Sequence, residues 1–282
     1  MSTTSETQGT SASNSAPAGA RISVVVITKN EAHNIDACLR SVAWADEVLV
    51  VDAESTDATV ELARRFTPHV FVRPWPGYGP QKNFAIGRTT GDWILIVDAD
   101  EQVTPELAVE IRRMVGTADR AGLVGFEIPR RNYFYGRWVR GGGVYPDYQL
   151  RLIRRGKGLY DDTELHERIH LDGPQGRLTH DFLHQTSPTI ASHLAKVFRY
   201  STLGAQEKMK RHSEVTGLQV IMHPLGAVLK NWLLRRGYQD GIHGVFWAGF
   251  SGVYTFLKYA KIWEAVHVPT SMAAAASERR TP

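Results

Sequence analysis

Three short polar clusters hold the residue types that could do chemistry: Thr28-Lys29-Asn30-Glu31, Asp52 with Ser55-Thr56-Asp57, and Asp98-Ala99-Asp100-Glu101. In the last, Asp98 and Asp100 stand two apart, so in an extended conformation their carboxylates face the same way and can share one ion. Carboxylate oxygens suit Mg²⁺ or Mn²⁺ rather than zinc. An ion held there would bridge phosphate groups and neutralise a diphosphate as it leaves. A bare D-x-D recurs by chance, so its weight depends on the strand before it and on Asp52 lying in phase. A competing motif, His166-Glu167-Arg168-Ile169-His170, spells the H-E-x-x-H of zinc proteases, with His180 and His184 as conceivable further ligands. That chemistry needs a helix, and Asp172-Gly173-Pro174 would end one within a turn, so the match reads as accidental.

The elements that must position these clusters are legible in the first hundred residues. Nearly continuous apolar, β-branched runs at 22–27, 48–51, 70–72 and 93–97 predict strands buried on both faces. Helical patterns at 35–42, 58–66 and 80–88 lie between them, with Asn34 and Thr56 as candidate caps of the first two. The alternation predicts an open α/β sheet, mostly parallel, with ligands beyond the carboxyl ends of its strands, where all three clusters stand. A helix from Pro105 to about Val115 and a strand at 124–128 follow. Residues 129–188, dense in Arg, Tyr and Gly, predict an irregular extension of the sheet that shapes an acceptor site. From about Ile190 to Val266 the pattern is helical, with breaks at Pro224 and around Gly237 and Gly241.

Bulk properties bound the reading. The 282 residues are 43% hydrophobic and 22% charged, which suits a globular fold and excludes general disorder. Cys38 is the sole cysteine, so disulfide frameworks and cysteine-rich metal sites are excluded and a reducing, cytoplasmic setting is expected. Residues 1–20 lack both a basic start and an apolar core and predict a disordered leader; residues 269–282 predict a loose tail. Charge is unevenly spread. Residues 124–158 carry eight Lys/Arg against two acids, and 193–236 again eight against two, which predicts anionic partners or a solvated basic surface.

The segments ISVVVITKNE (22–31), VVDAESTD (50–57), Gln81-Lys82-Asn83 and WILIVDADE (93–101) resemble, in order and spacing, the family-2 glycosyltransferases of the GT-A fold. More narrowly, TKNE, GYG-QKNFA, DADE, YPD-Q-RL and HE resemble bacterial lipopolysaccharide core glycosyltransferases of the beta-1,4-glucosyltransferase type, over residues 21–266. The resemblance implies a GT-A, Rossmann-like catalytic domain at 21–188, with a nucleotide-binding half (21–128) and an acceptor-side half (129–188), then a helical region at 189–268. It implies a nucleotide-sugar donor, UDP-glucose foremost, a Mg²⁺ or Mn²⁺ cofactor, and a lipid-linked or lipopolysaccharide core saccharide as acceptor, with no nucleic acid partner. Thr28, Asn30 and Glu31 would line the nucleotide pocket, Asp52 would accept a hydrogen bond from the base, and Lys82 would approach base and diphosphate. Asp98 would lie near ribose and metal, with Asp100 the more direct ligand. An inverting transfer needs a carboxylate to take the acceptor's proton; the resemblance places Glu167 there, with Asp147 in reserve. His184 would complete the metal site from the far side or serve as a core histidine.

The uncharged run at 242–257 is too short for an ordinary membrane span and suits core packing, a dimer contact or the membrane interface. Arg235, Arg236, Lys258 and Lys261 flank it, and with a lipid-linked acceptor they favour peripheral attachment to the inner face of the cytoplasmic membrane. A sugar-1-phosphate nucleotidyltransferase would want a glycine-rich loop after the first strand, which Thr28-Lys29-Asn30-Glu31 lacks. A dinucleotide oxidoreductase would want a third glycine beyond Gly77-Tyr78-Gly79. A non-catalytic nucleotide-sugar-binding protein at the membrane is the rival of another class.

Overall fold

Strands with no polar face must be covered on both sides, and the computed structural model, which describes residues 19–161, 168–210 and 215–268, folds them so. β1 (Ile22–Thr28), α1 (Ile35–Ser41), β2 (Glu47–Asp52), α2 (Thr59–Arg64), β3 (Val70–Val72), α3 (Tyr78–Ile86) and β4 (Trp93–Asp98) alternate strictly. The four strands are parallel in the order β3-β2-β1-β4. Alternate residues of β1 serve two cores: Val24 and Val26 pack with α1 and β4 on one face, Val25 with Leu49, Ile94 and Ile96 on the other. Register sets the clusters level, because Thr28 pairs with Asp52 and Ile27 with Asp98.

Beyond β4 the chain turns into β5 (Glu101–Val103) and α4 (Pro105–Ala121), which runs past the expected end at Val115. β6 (Gly125–Phe134), β7 (Arg137–Trp138), β8 (Asp147–Arg154), β9 (Gly158–Tyr160), β10 (Ile169–Leu171), β11 (Gln175–Arg177) and β12 (Phe182–Ser187) follow. β8 is antiparallel to both β4 and β6, while β12 lies parallel to β6 and antiparallel to β5. Residues 129–188 extend the same sheet, and the expectation is corrected only in its irregularity, because much of the stretch forms regularly paired strands. Its basic residues are equally corrected. Arg130, Arg131, Arg151 and Lys157 each pair with a carboxylate of this chain, so four of the eight basic residues at 124–158 are already partnered within the fold.

The helical region consists of α5 (Ile190–Lys210), α6 (Gly217–Leu229), a π turn at Lys230–Leu234, a short 3-10 turn at Gly237–Asp240 and α7 (Ile242–His267). Pro224 does not break α6, which runs through it. Thr216 starts that helix with a capping box, its hydroxyl taking Gln219 N while the Gln219 side chain takes Thr216 N. The expected caps at Asn34 and Thr56 are not formed: the Asn34 amide turns to Glu31, and α2 starts after Ala58. The uncharged run at 242–257 is the first part of α7, whose small residues Gly244, Ala248 and Gly252 are buried, and α7 packs on α5 and α6. A Cβ on Gly244 would lie 1.8 Å from the Gly237 carbonyl oxygen, so the close approach of α7 to the 3-10 turn demands glycine there.

Candidate functional site

The loops after β1 and β2 are laced together above the strand ends. Asn30 adopts a left-handed conformation (φ 54°), which its short polar side chain tolerates. From there its Oδ1 accepts Thr56 N at 2.8 Å, while Asn30 N donates to Ser55 Oγ at 2.8 Å. Glu31 N donates to Thr59 Oγ1, and Ala32 N to Asp57 Oδ2. Asp57 thus braces the loop and also takes Thr59 N at the start of α2. Asp52 is fully buried, with Ser55 N donating to its Oδ1 at 2.8 Å, and a carboxylate so placed keeps lone pairs for a further donor. Thr28 Oγ1 and both amide atoms of Gln81 are buried without a hydrogen-bond partner. α3 packs on β1, so these orphaned groups flank one end of the sheet, and a bound polar ligand is what would satisfy them.

Asp98 and Asp100 do not form the extended pair expected of a D-x-D. Asp98 closes β4 and Asp100 lies in the turn that carries the chain into β5. Glu101, fully buried, accepts Asp98 N at 3.0 Å and thereby ties this turn. Asp98 is flanked by Lys82 Nζ at 3.3 Å and by the Arg151 guanidinium in a short contact. Arg151 also reaches Glu101 at 3.1 Å; Glu101 pairs with Arg130 at 3.1 Å; and Arg130 holds Asp147 at 2.6 Å. Burial alone would raise the Asp98 carboxyl, but Arg151 and Lys82 outweigh it and hold the group below the usual carboxylate range. Lys82 is buried, with the Tyr160 ring 5.0 Å from its ammonium, and is no solvated surface lysine.

Asp100 has a different partner: its Oδ2 lies 3.3 Å from His184 Nε2. β12 brings His184 there by pairing with Glu101 of β5 and Asn132 of β6. His184 Nδ1 is 2.6 Å from Asn132 Oδ1. The amide orientation follows from its other end, where Asn132 Nδ2 donates to Asp147 Oδ2 and to the Val144 carbonyl. Nδ1 must then carry a proton, so a neutral His184 presents the bare lone pair of Nε2 to the Asp100 carboxylate. Two acceptors opposed at this distance suit a proton or a metal ion between them, and an imidazole whose other nitrogen donates to an oxygen is the usual metal-ligand arrangement. Burial pushes Asp100 up, but the hydrogen bond and positive charge of His184, which its imidazole supplies when protonated at Nε2, outweigh it and lower the carboxyl. Glu31 moves the other way: burial raises it, and the Asp100 charge adds to the rise. Among the described residues no set of three His, Cys, Asp or Glu converges as a ready metal cage. Asp100 and His184 fit a hard divalent ion whose remaining positions phosphate and water oxygens would fill.

A family model, glycosyl transferase family 2, matches residues 23–172. The lipopolysaccharide core biosynthesis glycosyltransferase LpsC of Rhizobium meliloti is 30% identical over 250 residues, 86% of this chain and 92% of its own. The chain belongs to glycosyltransferase family 2. An uncharacterized glycosyltransferase of Rickettsia felis is 27% identical over 87% of this chain and 90% of its own. Among solved structures, glucosyl-3-phosphoglycerate synthase of Mycobacterium tuberculosis, in complex with Mg²⁺ and UDP, aligns with a TM-score of 0.34 at 24% identity, over 42% of this chain and 45% of that one.

In this glycosyltransferase the sheet, its parallel half ending in the polar clusters and its mixed half carrying β12 and β8, is the GT-A fold. Sequence reasoning quoted Gln81, Glu101 and Arg151 within motifs without giving them a role, and missed Arg130 and Asn132. The buried Arg151 could have been suspected only from its place between Leu150 and Leu152 in β8. Asp147 proves poorly suited to reserve duty as a base. Arg130, Asn132 and Gln149 all donate to it, and they outweigh burial and lower its basicity. Glu167 and His166 lie outside the described residues, as do residues 1–18 of the expected leader at 1–20 and the tail at 269–282. His170 lies in β10, paired with β9, so the helix that a zinc H-E-x-x-H requires does not exist at its second histidine.

Proposed function

We propose that this glycosyltransferase transfers a sugar with inversion from a nucleotide diphosphate sugar, UDP-glucose foremost, to a lipid-linked saccharide acceptor of the lipopolysaccharide inner core, at the cytoplasmic face of the inner membrane. The opposed acceptors of Asp100 and His184, with Asn132 setting the imidazole's tautomer, are the observation that carries this reading. They would hold Mg²⁺ or Mn²⁺, which when bound supplies positive charge to the leaving diphosphate. LpsC, by its name a lipopolysaccharide core enzyme, supports the acceptor class.

In this reading Thr28, Asn30, Glu31 and Asp52 receive the nucleoside, with Asp52 accepting from the base. Lys82 lies beside the diphosphate, and Asp98, held ionised by Lys82 and Arg151, faces the ribose and the metal. Glu167 takes the proton of the acceptor hydroxyl as that oxygen attacks the anomeric carbon opposite the departing diphosphate. Calorimetry of UDP with Mn²⁺ tests the donor half: binding is expected to need the metal and to weaken about 10- to 100-fold in Asp100→Ala. Metal-independent binding, or none, would sink it. Glu167→Gln is expected to keep UDP binding and lose transfer to truncated lipopolysaccharide in a screen of UDP-, ADP- and GDP-sugars.

A further inference from the structure

α6 packs one side on α7, yet none of its side chains is buried. Its outer side is a continuous aliphatic ridge: Leu218, Ile221, Met222, Leu225, Leu229 and, in the π turn, Leu233 are 53–69% exposed. The spacing of three and four residues places them within an arc of about 100° along roughly 25 Å of helix. An exposed apolar patch of that length marks a surface made to be covered. Residues 215–239 contain Lys230, Arg235 and Arg236, all exposed, and no Asp or Glu. The cationic end of the ridge is bonded to the loop that leads into β8. Gly142 N donates to the Arg235 carbonyl at 2.8 Å, and Asp240 accepts Arg140 N and Gly141 N. Trp247 Nε1 donates to the Gly142 carbonyl at 3.1 Å. Four residues on from Gly143, Asp147 belongs to the ion network behind Asp98 and Asp100.

We propose that the α6 ridge, with Lys230, Arg235 and Arg236, docks this glycosyltransferase on an anionic bilayer, α6 lying in the interface with its leucines among the acyl chains. This deepens the peripheral-membrane reading above, on which it rests, and moves the contact from residues 242–257 to 218–236. Charge complementarity selects the lipid surface over a second copy, because a ridge paired with its own copy offers these cations no carboxylate. No helix among the described residues is long and apolar enough to cross a membrane, so the ridge lies on the bilayer and does not span it. The docked surface adjoins the loop at 140–144, which brings a lipid-borne acceptor to the β8 side of the site.

The full chain is to be sedimented with vesicles of phosphatidylglycerol mixed into phosphatidylcholine and with pure phosphatidylcholine. Partitioning is expected to be at least about tenfold stronger on the anionic vesicles. Leu225→Glu with Leu229→Glu is expected to lower it at least about tenfold, and Lys230→Gln with Arg236→Gln to remove the anionic preference. Circular dichroism and metal-dependent UDP binding should stay unchanged in both variants. Wild-type chain that ignores both vesicles overturns the peripheral reading and this proposal together. A leucine variant that partitions like wild type overturns the ridge alone, and a dimer dispersed by that variant, without vesicle uptake, assigns the ridge to self-association instead. UDP binding is measured apart from vesicles, so failure of the enzyme reading is seen separately.

Discussion

A carboxylate removed from water has to be compensated by cations or lose its charge, and around Asp98 the compensation is exchanged among several groups. Among the described residues Lys82, Arg151 and Arg130 stand in one network against Asp98, Glu101 and Asp147. Arg151 is its pivot, reaching both Asp98 and the fully buried Glu101. Arg151→Met is expected to cost about 3 kcal/mol, since it strands buried carboxylate charge. Urea unfolding should show the midpoint falling with an unchanged slope, and a loss within experimental scatter would mean that Arg130 and Lys82 carry the network alone. The aspartates themselves were legible in the sequence, because a polar cluster at the end of an apolar strand is a local pattern. Arg151 and Glu101 stood in motifs without a role, and His184 was placed at the metal only by the family resemblance, since Arg151 and His184 meet partners some 50 to 80 residues away that only the sheet brings together.

At the scale of elements the same contrast holds. β1, β2 and β4 were readable because apolar side chains cover both of their faces and leave long apolar runs, which Ser23 alone interrupts within β1. The second half of β6, and β8, were read as irregular because Arg130, Arg131, Asp147 and Arg151 interrupt them, and the structure absorbs these residues as ion pairs. The loop at 139–144 owes its shape to a distant element. Asp240, in the 3-10 turn and itself buried, takes the N–H groups of Arg140 and Gly141. Asp240→Ala is expected to leave two backbone donors unmet and to cost about 2–4 kcal/mol. Asp240→Asn, which keeps one accepting oxygen, should recover part of that loss. Hydrogen exchange at residues 140–142 is the local measure: faster exchange confined to this loop supports the staple, and uniform acceleration across the chain refutes a local role.

For the whole molecule the question is how the helical region is fastened to the catalytic sheet. An aromatic cluster does much of it: Phe134 and Tyr135 at the end of β6 meet His193 of α5, Phe134 also meets Trp247 of α7, and His193 meets Trp247 and Phe250 of α7, with ring centroids 4.5–6.3 Å apart. Burial pushes the Tyr135 phenol up to about 12, so it keeps its proton and donates it to His193 Nδ1. Burial, and then the charge of Lys196, pushes His193 down to about 4, so the imidazole is neutral in the folded chain. In the unfolded chain it regains its ordinary value near 6.5. Between these values the unfolded state binds more protons, so stability rises with pH across the window and is lost as pH falls from about 6.5 to about 4. The full effect is on the order of 1–3 kcal/mol. Urea unfolding of wild type and His193→Phe at several pH values isolates it. The variant loses the Tyr135 hydrogen bond at every pH, a constant offset, while the wild type alone should show the extra decline below pH 6.5. Parallel stability curves for the two proteins across that window would mean that His193 is not the titrating group and that the junction between sheet and helices is indifferent to acid.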